Sequence, residues 1–139
     1  MIILWTLEKA DAMFSNYIRE RDGKCMHPRC SMPWDTDIKQ MQNSHFYSRG
    51  EWATRFDPDN CDTAHRGCHI FHWEVTKNSD YLNWKKAQLG PSKFNKLKKK
   101  VADSKKFGYY VSHSDRILEC MNFLRKVGFV DENYKLIKK

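Results

Sequence analysis

Cys25 and Cys30 flank Met-His-Pro-Arg, and His65 and Cys68 flank Arg-Gly, so two short knuckles of soft or borderline ligands stand 34 residues apart. Three thiolates and an imidazole suit a tetrahedral zinc ion. Chelation by knuckles so far apart closes a loop too polar to hold itself, and the metal then supplies folding free energy directly. On spacing alone His27 and Cys61 are alternative ligands, and plain buried thiols are the competing explanation of the cysteines. The five cysteines are an odd number, and four of them lie within residues 25–68 among histidines, a poor fit to a disulfide framework.

Between the knuckles runs Asn43-Ser-His-Phe-Tyr-Ser-Arg-Gly, then Thr54-Arg-Phe-Asp-Pro-Asp-Asn-Cys, then Cys68-His69. Together these segments resemble an HNH nuclease motif, in particular that of the phage NinG/Rap recombination endonucleases, and the resemblance spans about residues 5–100. It implies an α+β fold: a small zinc-supported ββα-metal finger, treble-clef-like, flanked by helices. It places the first histidine of the motif at His45 on a hairpin, the asparagine at Asn60 in a loop, and the last histidine at His69 on a helix.

Carried over in this way, His45 is the general base that takes a proton from water attacking a phosphodiester, a task suited to an imidazole titrating near neutral pH. Asn60 ties the loop to the hairpin and fixes the orientation of His45. His69 binds a catalytic divalent cation, magnesium or manganese, that stabilises charge on the phosphate and the leaving oxygen. His72, three residues further on, shares a face with His69 if the segment is α-helical, which makes it a candidate second ligand. Arg49 and Arg55, on either side of the hairpin, could clamp the scissile phosphate through paired hydrogen bonds.

Two positions depart from the family pattern. Ser44 stands where many HNH enzymes carry a metal-binding aspartate, and a hydroxyl replaces a carboxylate poorly. His65 stands where the family usually has cysteine, which makes the structural zinc set Cys25, Cys30, His65 and Cys68. Cys61 follows the asparagine in the family too and is not expected to be a ligand.

The elements that must position these residues are readable from periodicity and caps. Leu7, Met13, Phe14, Tyr17 and Ile18 fall at helical spacing over residues 7–21, with Thr6 as N-cap and Asp22-Gly23 as a stop. Residues 24–60 have few periodic positions and predict loops and short strands. Helical spacing returns after Cys68, and a further helix is expected over residues 79–89, capped by Ser79 and ended by Gly90-Pro91. A Lys-rich helix follows over residues 92–106 with Phe94, Leu97 and Val101 as its apolar stripe, and a last helix over residues 114–127 is closed by Gly128. Trp73, Tyr81 and Trp84 are expected to be core, packed against the first helix, and Cys120 a buried thiol.

The length of 139 residues corresponds to one domain, divided here into a zinc-supported core at 24–76, a basic helical segment at 77–106 and a C-terminal helical extension at 107–139. A hydrophobic fraction of 40% with 14% aromatics allows one modest core and argues against wholesale disorder. No run of 18 apolar residues exists and the first residues do not form a signal peptide, so a non-membrane, non-secreted protein is expected. If the gene belongs to a phage or prophage, the compartment is the bacterial cytoplasm.

The net charge of +8 favours a polyanionic partner, and it is concentrated: residues 77–106 alone carry +8, while 1–76 carry −2 and 107–139 carry +2. Lys93, Lys96, Lys98, Lys99 and Lys100 form a dense run, continued by Lys105 and Lys106, that could grip DNA phosphates without reading sequence. Lys85 and Lys86 would extend that surface. The expected activity is metal-dependent DNA cleavage. The resemblance adds branched recombination intermediates such as Holliday junctions as substrate, whose near twofold symmetry would favour a homodimer. The alternative is a catalytically inactive zinc module that binds nucleic acid through its lysines.

Overall fold

Thr6 opens the first helix by accepting the Lys9 N–H on its hydroxyl at 3.1 Å, and Gly23, at φ 67°, closes it. That left-handed backbone carries no Cβ penalty in glycine. The computed structural model describes residues 3–30, 37–107 and 112–137. Helix α1 runs Leu7–Asp22, as the capping residues predict, and buries Ala10, Phe14 and Ile18 along one face.

Two short strands, β1 (Gln42–His45) and β2 (Cys61–Ala64), pair antiparallel with Ser44 opposite Asp62 and His45 opposite Cys61. Successive side chains in a strand point to opposite faces, and here the two faces meet different helices. On one face the Asn43 Nδ2 donates to Ser15 Oγ and the Thr63 hydroxyl to the Ile18 carbonyl, both at 3.3 Å, so this face lies on α1. Arg21 strengthens the same junction by donating to the carbonyls of Pro58 at 2.8 Å and Cys61 at 2.7 Å.

The other face meets helix α2 (Asp80–Phe107). Asp62, fully buried, accepts from Lys85 Nζ at 2.8 Å, Gln88 Nε2 at 3.1 Å and the Tyr81 hydroxyl at 3.2 Å. Lys85 is thus a buried counter-charge and not part of a DNA-facing surface, which corrects the expectation for that residue. An isolated carboxylate here would be strongly unfavourable, and the ammonium with two further donors removes that cost.

Helix α2 is broken at Gly90, whose φ of 79° and ψ of 165° lie outside helical space. The next residue, Pro91, has no N–H to satisfy and a ring already set for a first helical turn. The two helices read from the sequence therefore join end to end at this kink. Beyond it Phe94, Leu97 and Val101 are buried as the stripe predicts. Helix α3 (His113–Lys126) starts one residue earlier than expected because Ser112 accepts the Asp115 N–H at 3.1 Å.

Two apolar clusters flank the sheet. Phe14, Ile18, Cys61, Ile117, Cys120, Met121 and Leu124 join α1, α3 and the strand face between them. Phe46, Ala64, Cys68, Trp73, Tyr81 and Phe94 fill the α2 side, with Trp73 and Tyr81 stacked at 4.5 Å. Trp73 and Tyr81 are core residues as expected, but they and the partly buried Trp84 pack in the α2 cluster and not against α1. Each fully buried aromatic of this kind contributes roughly 1.5–3 kcal/mol. Among the described residues no helix is long and apolar enough to cross a membrane.

Candidate functional site

Cys25, Cys30, His65 and Cys68 converge, with all four ligand atoms within 4.8 Å of one another. The first knuckle hangs below α1 and is tied to β2 by the Met26 N–H, which donates to the Thr63 carbonyl at 2.8 Å. The second knuckle follows β2 directly, so one strand end sets the spacing of both. Cys30 Sγ lies 3.1 Å from His65 Nδ1, and the His65 N–H reaches Cys25 Sγ at 3.3 Å. Tetrahedral zinc with bonds of about 2.3 Å to sulfur and 2.0–2.1 Å to nitrogen holds its ligands roughly 3.6–3.8 Å apart. The cluster has the composition and the dimensions to hold a zinc ion.

Without a cation the thiols are held in their neutral form. Burial, and then the neighbouring Cys25 and Cys30, push the Cys68 thiol up to about 12. Burial likewise raises Cys25. A zinc ion bound there would reverse these shifts, because its ligand is the thiolate and binding releases the protons. The alternatives resolve in favour of this set: the His27 Nδ1 accepts the Arg29 N–H at 3.1 Å, and Cys61 is fully buried in the α1–α3 core.

On the α1 side of the strands a groove of about 530 Å³ opens, lined by His45 and His69 together with Arg19, Arg49, Lys77 and Glu74. His45 sits at the end of β1, and its Nε2 lies 3.1 Å from the Arg55 carbonyl. A carbonyl can only accept, so Nε2 carries the hydrogen and Nδ1 is the lone-pair nitrogen. Burial, with Arg49 and Arg55 nearby, lowers His45 to about 4. The imidazole is neutral at pH 7.

Asn60 braces this hairpin. Its Oδ1 accepts the Tyr47 N–H at 2.8 Å, and its Nδ2 donates to the carbonyls of Tyr47 at 3.0 Å and Thr54 at 3.2 Å. The Asn60 carbonyl also accepts the Phe46 N–H at 2.8 Å. The two residues following His45 are therefore held by one buried asparagine, Phe46 by its backbone and Tyr47 by its side chain.

His69 lies on Cys68–Trp73, which is a π-helical stretch and not an α-helical one. The wider turn brings the residue five further on above His69, and the Glu74 N–H donates to the His69 carbonyl at 2.9 Å. The side chains follow: His69 Nε2 is 3.1 Å from Glu74 Oε1, and Nδ1 is 2.7 Å from Gln42 Oε1. His72, which an α-helix would place beside His69, turns away instead. It is exposed, its ring centroid is 5.3 Å from that of His27, and it lines a different hollow, so it is corrected as a ligand partner of His69.

Ser44 does not face the groove either. Strand alternation buries it on the α2 side, where its hydroxyl lies 3.3 Å from the Tyr81 hydroxyl. Arg55 is also corrected as a phosphate clamp: its guanidinium grips both Asp11 carboxylate oxygens, at 2.9 and 2.5 Å, donates to the Arg49 carbonyl, and lies over the Trp52 ring. Little donor capacity is left for a ligand. Arg49 is exposed and lines the groove.

No protein-family model, curated protein or solved structure matches the chain.

The lysine run lies elsewhere. Lys93, Lys96, Lys98, Lys99 and Lys100 are exposed on α2, but none lines the groove. Lys99 pairs with Asp103 at 2.8 Å, and Lys100 pairs with Asp57. The groove's own cations, Arg19 and Lys77, and its carboxylate, Glu74, are not singled out by the sequence. Arg19 sits on the partly exposed edge of an otherwise ordinary amphipathic helix, and Glu74 is five residues from its histidine, a spacing that no α-helical pattern highlights.

Proposed function

We propose that the protein is an HNH-type, metal-dependent DNA endonuclease with a structural zinc ion in the Cys25, Cys30, His65, Cys68 cluster. The observation that carries this reading is the meeting of His45 and His69 in one groove lined by Arg19, Arg49 and Lys77. Two histidines for chemistry and three cations for a phosphate are what hydrolysis of a polyanionic diester requires.

In this mechanism Arg19, Arg49 and Lys77 hold a phosphate of the DNA backbone in the groove. His45, neutral and held through its Nε2 hydrogen, accepts on Nδ1 the proton of a water molecule whose oxygen forms the new bond to phosphorus. The bond from phosphorus to the leaving oxygen breaks, and that oxygen is protonated by solvent. Asn60 keeps the imidazole in place by pinning the backbone at Tyr47. His69 fits a cation, since it lines the groove and its Nε2 already faces a carboxylate oxygen. A divalent cation held there would supply positive charge against the negative charge that builds on the phosphate and the leaving oxygen.

The preference for branched recombination intermediates, and a dimer to match a junction's near twofold symmetry, rest on the sequence resemblance alone. Cleavage of a labelled four-way junction and its matched linear duplex, with and without magnesium or manganese, tests the whole reading. Metal-dependent cutting that His45→Ala abolishes while folding and zinc content persist is the expected result. Preference for the junction supports the branched substrate, and equal cutting leaves a general nuclease. Salt-sensitive binding with no cutting under any metal favours the inactive zinc module, which the inward-facing Ser44 keeps in play.

A further inference from the structure

A neutral imidazole carries one N–H, yet both ring nitrogens of His69 face oxygens: Gln42 Oε1 at 2.7 Å and Glu74 Oε1 at 3.1 Å. With Nδ1–H donating to Gln42, Nε2 turns its lone pair toward a carboxylate oxygen, an arrangement that has room for a cation, or for a proton as in a plain ion pair. Two ligands about 2.1 Å from one ion and at right angles stand roughly 3.0 Å apart. The Nε2 to Oε1 separation of 3.1 Å matches adjacent corners of such an octahedron.

Two further features sit in the same groove. Lys77 Nζ holds the other oxygen of the carboxylate, Glu74 Oε2, at 3.3 Å, which orients Glu74 and leaves Oε1 toward His69. Asn43 lines the groove as well, and its Oδ1 is buried without any hydrogen-bond partner. An acceptor oxygen without a donor is a feature that a cation or its bound water would relieve.

We propose that Glu74 is the groove's carboxylate ligand, and that with His69 it holds a divalent cation at two adjacent corners of an octahedron. The π turn of Cys68–Trp73 is what brings Glu74 to His69. The mixed nitrogen and oxygen donor pair favours manganese over magnesium. The proposal rests on the nuclease reading for its purpose, but its ligands are defined by geometry alone.

The test is titration of the zinc-loaded full-length protein with manganese, followed by paramagnetic resonance of the free ion, alongside manganese-dependent DNA cleavage. Glu74 is partly exposed, so Glu74→Gln should fold normally, which circular dichroism checks. Manganese affinity is expected to fall at least about tenfold in Glu74→Gln and in His69→Gln, and to be unchanged in His72→Ala. The manganese concentration for half-maximal cleavage should rise by the same factor in Glu74→Gln. Equal affinity in wild type and Glu74→Gln overturns the site, as does a wild type that binds no manganese, which would leave His69 and Glu74 as a plain ion pair. Cleavage with an unchanged manganese requirement in Glu74→Gln keeps the nuclease and overturns the ligand. Glu74-dependent binding without cleavage supports the site and removes the nuclease.

Discussion

Asn60 bonds the backbone of Tyr47 on both sides, taking its N–H on Oδ1 at 2.8 Å and giving an Nδ2 hydrogen to its carbonyl at 3.0 Å. The pairing mimics one rung of a β-ladder with a side chain, two residues after His45. It holds the strand end from which the imidazole projects, and it does so from a fully buried position that water cannot replace.

Truncating that amide leaves the Tyr47 N–H and carbonyl without partners, while the Thr54 carbonyl keeps the Asp57 N–H at 3.1 Å. At roughly 1–3 kcal/mol for each unsatisfied group, with partial relaxation, Asn60→Ala is expected to destabilise the fold by about 3 kcal/mol. Urea unfolding of the variant measures it. A loss below about 1 kcal/mol would show that the brace is not a structural necessity.

Zinc makes a separate claim on stability. Purified protein should carry about one tightly bound equivalent, and Cys25→Ser or Cys68→Ser should lose it together with roughly 10 °C or more of thermal stability. Cys61→Ser and Cys120→Ser, altered in the apolar core instead, should keep their zinc while paying only a packing cost. Elemental analysis and calorimetry on the four variants separate the classes. A metal-free wild type, or a Cys25→Ser protein with unchanged unfolding, would remove the structural site.

What the sequence makes legible here is short-range. Thr6, Gly23 and the Gly90-Pro91 break act on their own turn of chain, and each falls where capping physics predicts. The ligand knuckles are legible for the same reason, since each spans only a few residues. Arg55 reads as a free guanidinium because its partner, Asp11, is 44 residues away. Lys85 looks like part of a basic surface until Asp62 is seen beneath it. Glu74 and not His72 lies beside His69 because Cys68–Trp73 is wound as a π-helix, and nothing in an i, i+3 pattern announces that.

This sorting of charges separates positive residues that line the groove from those that hold the fold. Lys85→Met removes the counter-charge of a buried carboxylate and is expected to cost about 3–5 kcal/mol of stability. At a temperature where the variant is still folded, its DNA affinity should equal that of wild type. Arg19→Ala and Arg49→Ala should do the reverse, leaving unfolding within about 1 kcal/mol while each lowers the salt dependence of DNA binding by roughly one unit of slope. Fluorescence anisotropy across a salt series reads this. Unchanged slopes in both arginine variants would move the DNA surface away from the groove.

His45 supplies a signature in acid. Its folded value of about 4 is lower than the ordinary 6.5, so as the pH falls the unfolded chain takes up the proton first. Stability is unaffected above the unfolded value and is lost between about 6.5 and 4. Between pH 7.5 and 5 that loss amounts to roughly 2 kcal/mol from this residue. Burial lowers His27 and His69 as well, so they add losses of the same sign, and the share of His45 has to be taken by difference. Urea unfolding of wild type and His45→Gln at the two pH values isolates it: the variant should be less acid-sensitive by about 2 kcal/mol. If His45 is the base of the proposed cleavage, the same depressed value keeps it deprotonated throughout the working range, and the rate should be level from pH 8 down to 6. An inflection in rate near 6.5, or equal acid sensitivity in the two proteins, would mean that the imidazole is solvated rather than buried and that its hydrogen bond to Arg55 does not hold it.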